Sequence, residues 1–154
     1  MQRATIYRHF PSEEALFEAC SAHFWARHPR PDPRDWLETA NPHERLRRAL
    51  DDVYRFYGDT EGMLERTSRD APLVPAMGAA VQRSLDYREA LRAALMKGRP
   101  ERGRSRERVA AALGHALAFG TWQSLVRGQG LETDDAAELM VRFVESAGGR
   151  SRAL

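Results

Sequence analysis

The sequence predicts an all-α protein of about seven helices. Three observations support this prediction. Apolar residues recur at three- and four-residue spacing, capping residues stand where helices should start and stop, and no alternating strand pattern bounded by turns is present. The chain has 154 residues, of which 42% are hydrophobic, which is enough for one ordinary domain with its own core.

Capping residues define the first predicted helices. Ser12 can cap the first of them, because its hydroxyl can accept a hydrogen bond from the opening turn. Prolines at alternate positions make 28–33 a stiff, extended linker. Asn41 followed by Pro42 marks the next helix start, and Gly58 is predicted to end that helix.

Glycines mark the ends of the later helices. Gly98 stops a long helix, Gly128 closes the next one, and Gly148 follows the last. After a short helix at the start of the chain, the predicted helices cover 13–27, 42–57, 60–67, 74–97, 106–127 and 133–147.

Composition argues against several classes of function. The formal charge of +2 is too small to indicate nucleic-acid binding by itself. The single cysteine, Cys20, cannot form an internal disulfide, and the five histidines lack metal-ligand spacing. No phosphate-binding glycine loop or nucleophile elbow is found. We therefore expect a protein that is not an enzyme and that carries no metal or cofactor.

The chain also lacks the sequence features of a membrane or secreted protein. Its longest apolar stretch, 109–122, is shorter than the roughly 18–20 residues that span a bilayer. The first residues do not have the basic-then-apolar form of a signal peptide. We therefore expect a cytoplasmic protein without a membrane partner.

The first sixteen residues carry the strongest functional signal. They read as a short helix, a Pro-Ser break and a second, capped helix. Ile6 and Phe10, four residues apart, give the short helix a buried edge, and hydrogen-bonding groups cover its remaining surface. Such a helix suits the major groove of DNA, where arginine reads guanine edges and other polar groups reach phosphates. The residues predicted to contact DNA are Gln2, Arg3, Ala4, Thr5, Tyr7, Arg8 and His9.

The run Thr5-Ile6-Tyr7-Arg8-His9-Phe10-Pro11-Ser12, continued by Glu14-Ala15-Leu16, resembles the recognition-helix motif of the tetracycline-repressor (TetR/AcrR) family of transcription regulators. The resemblance implies a partial helix-turn-helix region over 1–28 and a helical-bundle ligand-binding and dimerisation domain over 36–154. It further implies a homodimer that binds a palindromic operator in double-stranded DNA and is released by a small-molecule inducer, most simply a repressor. Its implied residue roles are base contacts by Arg3, Ala4 and Thr5, and phosphate contacts by Tyr7 and His9.

Two departures from the family pattern open an alternative. The motif stands at the very start of the chain, where the family has two further helices, and Glu13 occupies the position of the family's usual lysine. We expect that translation of the intact regulator starts upstream of Met1 and that the chain as given binds DNA weakly or not at all. The alternative is a dimeric helical ligand-binding or interaction module that does not touch DNA.

The remaining site predictions concern the ligand and the partner chain. Aromatic and methionine residues exceed what one helix stripe needs, which favours an inducer pocket with a few polar groups. Apolar ridges on the last two helices favour a four-helix homodimer interface. The predicted pocket residues are Tyr54, Tyr57, Met63, Met77, His115, Phe119, Trp122 and Gln123, and the predicted interface residues are Leu113, Leu117, Leu125, Leu139, Met140, Phe143 and Val144.

Overall fold

The computed structural model describes residues 10–149, and within this range the chain forms helices and no strands. Six α-helices follow one another: α1 Glu13–Arg27, α2 Pro42–Asp70, α3 Gly78–Met96, α4 Gly103–Ala116, α5 Phe119–Gln123 and α6 Thr133–Gly148. Short 3₁₀ turns cover Pro33–Trp36 and Pro75–Met77, and a π-helical turn follows α5 at Ser124–Gly128. The all-α prediction is confirmed for the described residues.

The two predicted helix starts are confirmed in atomic detail. The Ser12 hydroxyl accepts from the Ala15 N–H at 3.2 Å, and α1 ends at Arg27 as predicted. The Asn41 side chain accepts from the His43 N–H at 2.9 Å, with Pro42 at the first helical position. Both starts depend on local hydrogen bonds, so that neighbouring residues in sequence determine them.

The predicted end of a helix at Gly58 is wrong. α2 runs without interruption from Pro42 to Asp70 and absorbs the separate helix predicted over 60–67. The buried stripe continues past the glycine, because Thr60 is enclosed and its hydroxyl donates to the Phe56 carbonyl at 2.6 Å. The packing of α2 against its neighbours therefore outweighs the modest helix penalty of Gly58.

The single helix predicted over 106–127 is also wrong. α4 stops at Ala116, and α5 leaves at an angle of 63°. Carbonyls at this break accept hydrogen bonds from side chains: Tyr54 Oη donates to the Ala116 carbonyl at 2.9 Å and Tyr57 Oη to the Leu117 carbonyl at 2.6 Å. Two tyrosines of α2 thus satisfy backbone acceptors of the bend.

The core lies where α6 packs against α2 and α4, with α3 closing one side. Its largest fully enclosed side chains are Trp36, Trp122, Tyr54, Leu46, Leu50, Leu91, Leu95, Leu113 and Leu117. α1 contributes no fully buried residue and packs on the outside, through Trp25 against the Phe56 ring and through contacts with the Pro75–Met77 turn. α1 is therefore the helix least anchored by the core.

Buried arginines connect the helix ends. Arg45, 5% exposed, donates to the carbonyls of Thr39 and Lys97, the latter at 2.6 Å, and so joins the start of α2 to the end of α3. Arg99, 4% exposed, donates to Glu145 Oε1 at 3.0 Å. Each of these cations has its donors matched to acceptors, as burial of a charge requires.

Candidate functional site

The predicted DNA-contacting residues, Gln2, Arg3, Ala4, Thr5, Tyr7, Arg8 and His9, lie outside the described residues. The description begins at Phe10, just before the Ser12 cap of α1. Glu13 and Glu14 stand exposed in the first turn of that helix, where they suit the positive end of the helix dipole.

Two adjoining, partly enclosed cavities form the candidate site, and they are here called the α1 lobe and the α5 lobe. The α1 lobe, of about 330 Å³, lies between α1, α2 and α3. The α5 lobe, of about 310 Å³, lies between α2, α3 and the start of α5. Arg30, Thr67 and Ser84 line both lobes, so these three side chains form the boundary between them.

The two lobes differ in charge. The α1 lobe combines apolar walls with three arginines and one carboxylate, Asp70. The lining of the α5 lobe includes two arginines and no carboxylate; it consists of Arg30, Phe56, Tyr57, Leu64, Thr67, Ser68, Ala71, Val81, Ser84, Tyr87, Arg88 and Phe119. An apolar cavity with a few convergent polar groups is the usual form of a small-molecule site.

Arg30 occupies the centre of this arrangement. Its guanidinium carbon lies 4.2 Å from the centroid of the Trp25 ring and 5.0 Å from that of Tyr87, so it stacks near two aromatic faces. Nη2 donates to Ser84 Oγ at 3.3 Å. Tyr87 is itself fixed, because its hydroxyl donates to the Pro31 carbonyl at 2.8 Å.

Burial shifts the ionisation of the groups around the α5 lobe. Desolvation lowers the pKa of Arg30 from its ordinary value, and a guanidinium remains charged at neutral pH even so. Desolvation raises the pKa of Tyr57 to about 12, opposed by the nearby cations Arg88 and Arg30. Burial likewise raises the pKa of Tyr87. At neutral pH the lobe therefore presents neutral hydroxyls and positive guanidinium groups.

The predicted pocket residues do not share one site. Tyr57 and Phe119 line the α5 lobe, whereas Met63 and Met77 line the α1 lobe. The others belong elsewhere: Tyr54 and Trp122 are core residues with no exposed surface, His115 is exposed beside the Phe143 ring, and Gln123 donates to Glu65 at 2.6 Å on the surface. The aromatic or polar character of these four residues therefore reflects core packing and surface contacts, and none of the four lines either lobe.

Sequence reasoning missed Arg30 altogether. The residue stands between Pro29 and Pro31 in a segment interpreted only as a spacer. Proline on both sides restricts the backbone, which was the available signal that this arginine is held in one place.

The predicted interface residues divide into two groups. Leu113, Leu117 and Val144 are enclosed within the protomer, with at most 1% exposure, and Met140 is 7% exposed. These four residues serve the chain's own core, since the packing of α6 on α4 already covers them. Leu125 is half-buried against that core. Leu139 and Phe143, at 44% and 43%, remain exposed on α6.

We also searched residues 10–149 for a metal site and for a membrane-spanning helix. No group of three or more His, Cys, Asp or Glu side chains in this range is placed to hold a metal ion. No single helix in the same range is long and apolar enough to cross a membrane. Among the described helices, only α4 together with the segment Phe119–Gly128 reaches that length and hydrophobicity, and these two are bent by 63° relative to each other.

Comparison of the chain with protein-family models, with curated proteins and with solved structures finds no match. Its function must therefore be argued from its own residues.

Proposed function

We propose that this chain is the regulatory part of a transcription regulator similar to the TetR/AcrR family, a homodimeric helical domain that binds a small-molecule inducer. The observation that carries the proposal is the motif Thr5 to Ser12, which runs in register into the capped start of α1. A helical bundle with an apolar, two-lobed cavity follows it, as a ligand-responsive domain requires.

The position of α1 suggests how ligand and DNA binding are linked. α1 forms one wall of the α1 lobe through Leu16, Phe17 and Cys20. It begins directly after the motif, and none of its residues is fully buried. A ligand in this two-lobed cavity would therefore bias the position of α1, either directly or through Arg30 at the boundary of the lobes. With α1 it would bias the spacing of the two recognition helices in the dimer, which is a coupling between two distinct sites.

The homodimer interface in this proposal is the exposed face of α4 and α6, defined by Ala111, His115, Leu139 and Phe143. His115 of α4 lies edge-on to Phe143 of α6, with ring centroids 5.7 Å apart, so the two helices present one continuous surface. Two such pairs form a four-helix interface.

Leu139→Glu tests this interface. We expect the wild-type chain to sediment as a dimer and the variant to sediment as a monomer at the same micromolar concentration, because a charge is buried without a partner. Leu85→Glu is the matched control, since Leu85 on α3 has the same 44% exposure and should leave the dimer intact. A monomeric wild type, or a dimeric Leu139→Glu chain, contradicts the proposed interface.

A second candidate is a dimeric ligand-binding module that does not contact DNA. The first turn of α1 favours it, because Glu13 and Glu14 are both exposed there and would repel phosphates. Glu13 stands at the position of the family's usual lysine, whose positive charge would attract phosphates.

Fluorescence anisotropy, followed by the codons upstream of Met1, separates the two candidates. The 154-residue chain is titrated into labelled DNA from the intergenic region upstream of its own gene, at low and at physiological salt. Saturable binding that outcompetes scrambled DNA and weakens steeply with salt supports the regulator. Absence of binding at low salt is expected of both a regulatory part and a module, and the codons upstream of Met1 then decide. Two further in-frame helices with a basic first turn favour the regulator, and an in-frame stop favours the module.

A further inference from the structure

Arg30 is a partly buried cation without an anionic partner. Among residues 10–149 no carboxylate lies within 4.0 Å of its guanidinium, whereas the buried Arg99 contacts both Glu101 and Glu145. The other buried arginine, Arg45, has its donors occupied by backbone carbonyls. Arg30 makes one side-chain hydrogen bond, of 3.3 Å, although a guanidinium carries five N–H donors.

The surroundings of Arg30 supply no substitute for that partner. Arg30 also borders an open groove lined by four aspartates, Asp32, Asp35, Asp52 and Asp59, none of which lies within 4.0 Å of its guanidinium. Asp32 pairs with Arg34, and Asp52 accepts from Trp36 Nε1 at 2.9 Å. In the α5 lobe it faces a lining without any carboxylate, and Arg88 adds a second positive charge. Desolvation of an unpaired charge is costly, and an anion that enters the lobe would reverse that cost.

The remaining walls of the α5 lobe indicate the size and the apolar character of the ligand that would carry this anion. Phe56, Tyr57, Tyr87 and Phe119 provide aromatic walls, and Leu64 and Val81 complete the apolar surface. The volume of about 310 Å³ is about twice the ~150 Å³ that suffices for a benzene ring in an apolar cavity. A body of about two fused rings therefore fits.

We propose that the α5 lobe binds a small aromatic carboxylate, with its carboxylate on the Arg30 guanidinium and its rings against the aromatic walls of the lobe. The inference rests on the proposed function, because it names the chemical class of the inducer. Ser84, which already accepts from Arg30, holds the guanidinium at the boundary between the two lobes. The stacking of Arg30 on Trp25 carries the effect of the bound anion to α1.

Isothermal titration calorimetry with three matched naphthalene compounds tests the inference on the wild-type chain. Naphthoate carries the anion, naphthylmethanol is its neutral counterpart, and naphthylmethylamine is its cationic counterpart. We expect naphthoate to bind once per protomer and at least tenfold more tightly than the alcohol, and the amine to bind most weakly. Equal binding of naphthoate and the alcohol, tighter binding of the amine, or no binding of naphthoate overturns the inference.

Arg30→Gln tests the residue. The substitution removes the charge and keeps a hydrogen-bond donor, and we expect the affinity for naphthoate to fall about ten- to hundredfold, while that for naphthylmethanol changes little. Arg34→Gln is the control, because Arg34 is exposed on the neighbouring turn, lines neither lobe and pairs with Asp32. An unchanged affinity for naphthoate in Arg30→Gln contradicts the assignment.

Two features keep the result interpretable. If Arg30→Gln does not fold, Arg30→Lys retains the charge without the planar fork, and it should bind naphthoate less tightly than wild type but more tightly than it binds the alcohol. If the chain is a dimer and binds the alcohol as tightly as naphthoate, the result contradicts the preference for an anion and leaves the proposed function unaffected. If the chain is a monomer and binds none of the three compounds, the result contradicts the proposed function as well.

Discussion

Arg45→Met is expected to lower the free energy of unfolding by roughly 3–5 kcal/mol. Nε and Nη2 of Arg45 donate to the Thr39 carbonyl at 2.9 and 2.7 Å, and Nη1 donates to the Lys97 carbonyl at 2.6 Å. A hydrogen bond to a charged group contributes about 1.5–3 kcal/mol, so the loss of two well-bonded acceptors gives the expected range. Methionine keeps most of the apolar stem, so the change isolates the guanidinium.

The location of these carbonyls supports a value in that range. The Lys97 carbonyl follows the last turn of α3, where backbone acceptors have no helical partner and where the helix dipole favours a positive charge. Arg45 is 5% exposed, and its bonds to the Thr39 and Lys97 carbonyls are partly buried. Any carbonyl left without a partner after the substitution adds to the loss of the bond.

Urea denaturation followed by circular dichroism measures the effect at a fixed protein concentration, because a dimer's stability depends on concentration. For an m-value near 2 kcal/mol/M, the midpoint should fall by roughly 2 M. Arg47→Met is the matched control: Arg47 stands two residues further along α2, is exposed and pairs with Glu138 at 3.3 Å. That exposed pair should contribute less than about 1 kcal/mol.

Equal losses of stability in Arg45→Met and Arg47→Met would contradict the role assigned to the Arg45 guanidinium. An Arg45→Lys chain as stable as wild type would contradict the role of its planar fork, because an ammonium group cannot reach Thr39 and Lys97 together in that geometry.

Two further predictions concern the break between α4 and α5 and the end of α3. Tyr57→Phe should lower the free energy of unfolding by about 1–2 kcal/mol, because the Leu117 carbonyl loses its hydrogen-bond donor. Since burial raises the pKa of Tyr57 from 10.0 to about 12, the stability it contributes is complete below pH 10 and is lost as the pH rises through 12. Urea denaturation between pH 10 and pH 12 should therefore show a smaller fall in stability for the variant than for the wild-type chain. Gly98→Ala should cost about 1 kcal/mol in a thermal melt because Gly98 has a φ of +75°, whereas Gly78→Ala, in open space at the start of α3 with a φ of −52°, should gain up to about 1 kcal/mol; equal effects of the two substitutions would contradict the backbone argument.

The sequence predicted those parts of the fold that depend on neighbouring residues. Ser12 and Asn41 cap their helices by bonds to residues two or three positions away, and both starts are confirmed. Gly58 misled the prediction because a glycine is also compatible with a helix interior, and here a Cβ would meet Trp122 Cζ2 at 3.8 Å, an ordinary contact. Tertiary packing of α2 decided that position.

The break after Ala116 could not be predicted in the same way. No proline marks it, and the alanine-rich run 110–118 favours a continuous helix. The acceptors at the break are satisfied by Tyr54 and Tyr57, which are about sixty residues away in sequence (separations of 62 and 60). Only the assembled fold places them there.

The candidate site shows the same division between local and distant information. Tyr57 and Phe119 line the α5 lobe and Met63 and Met77 line the α1 lobe, yet Trp122 has the same residue character and is wholly enclosed in the core. Hydrophobic character marks a residue for burial, and the distinction between a packed core and a cavity wall depends on how the helices diverge around it.

The placement of Arg30 in the linker explains how one side chain could join the cavity to α1. Pro31 restricts the backbone of Arg30 to extended conformations, and the Pro31 carbonyl is fixed by the Tyr87 hydroxyl at 2.8 Å. The guanidinium is therefore held between Trp25 of α1 and Tyr87 of α3 before any ligand arrives. Because its entropy is already restricted, little ordering cost remains when an anion binds. The two elements that the proposed regulation must couple, the outer helix α1 and the bundle, thus meet at a preorganised positive charge.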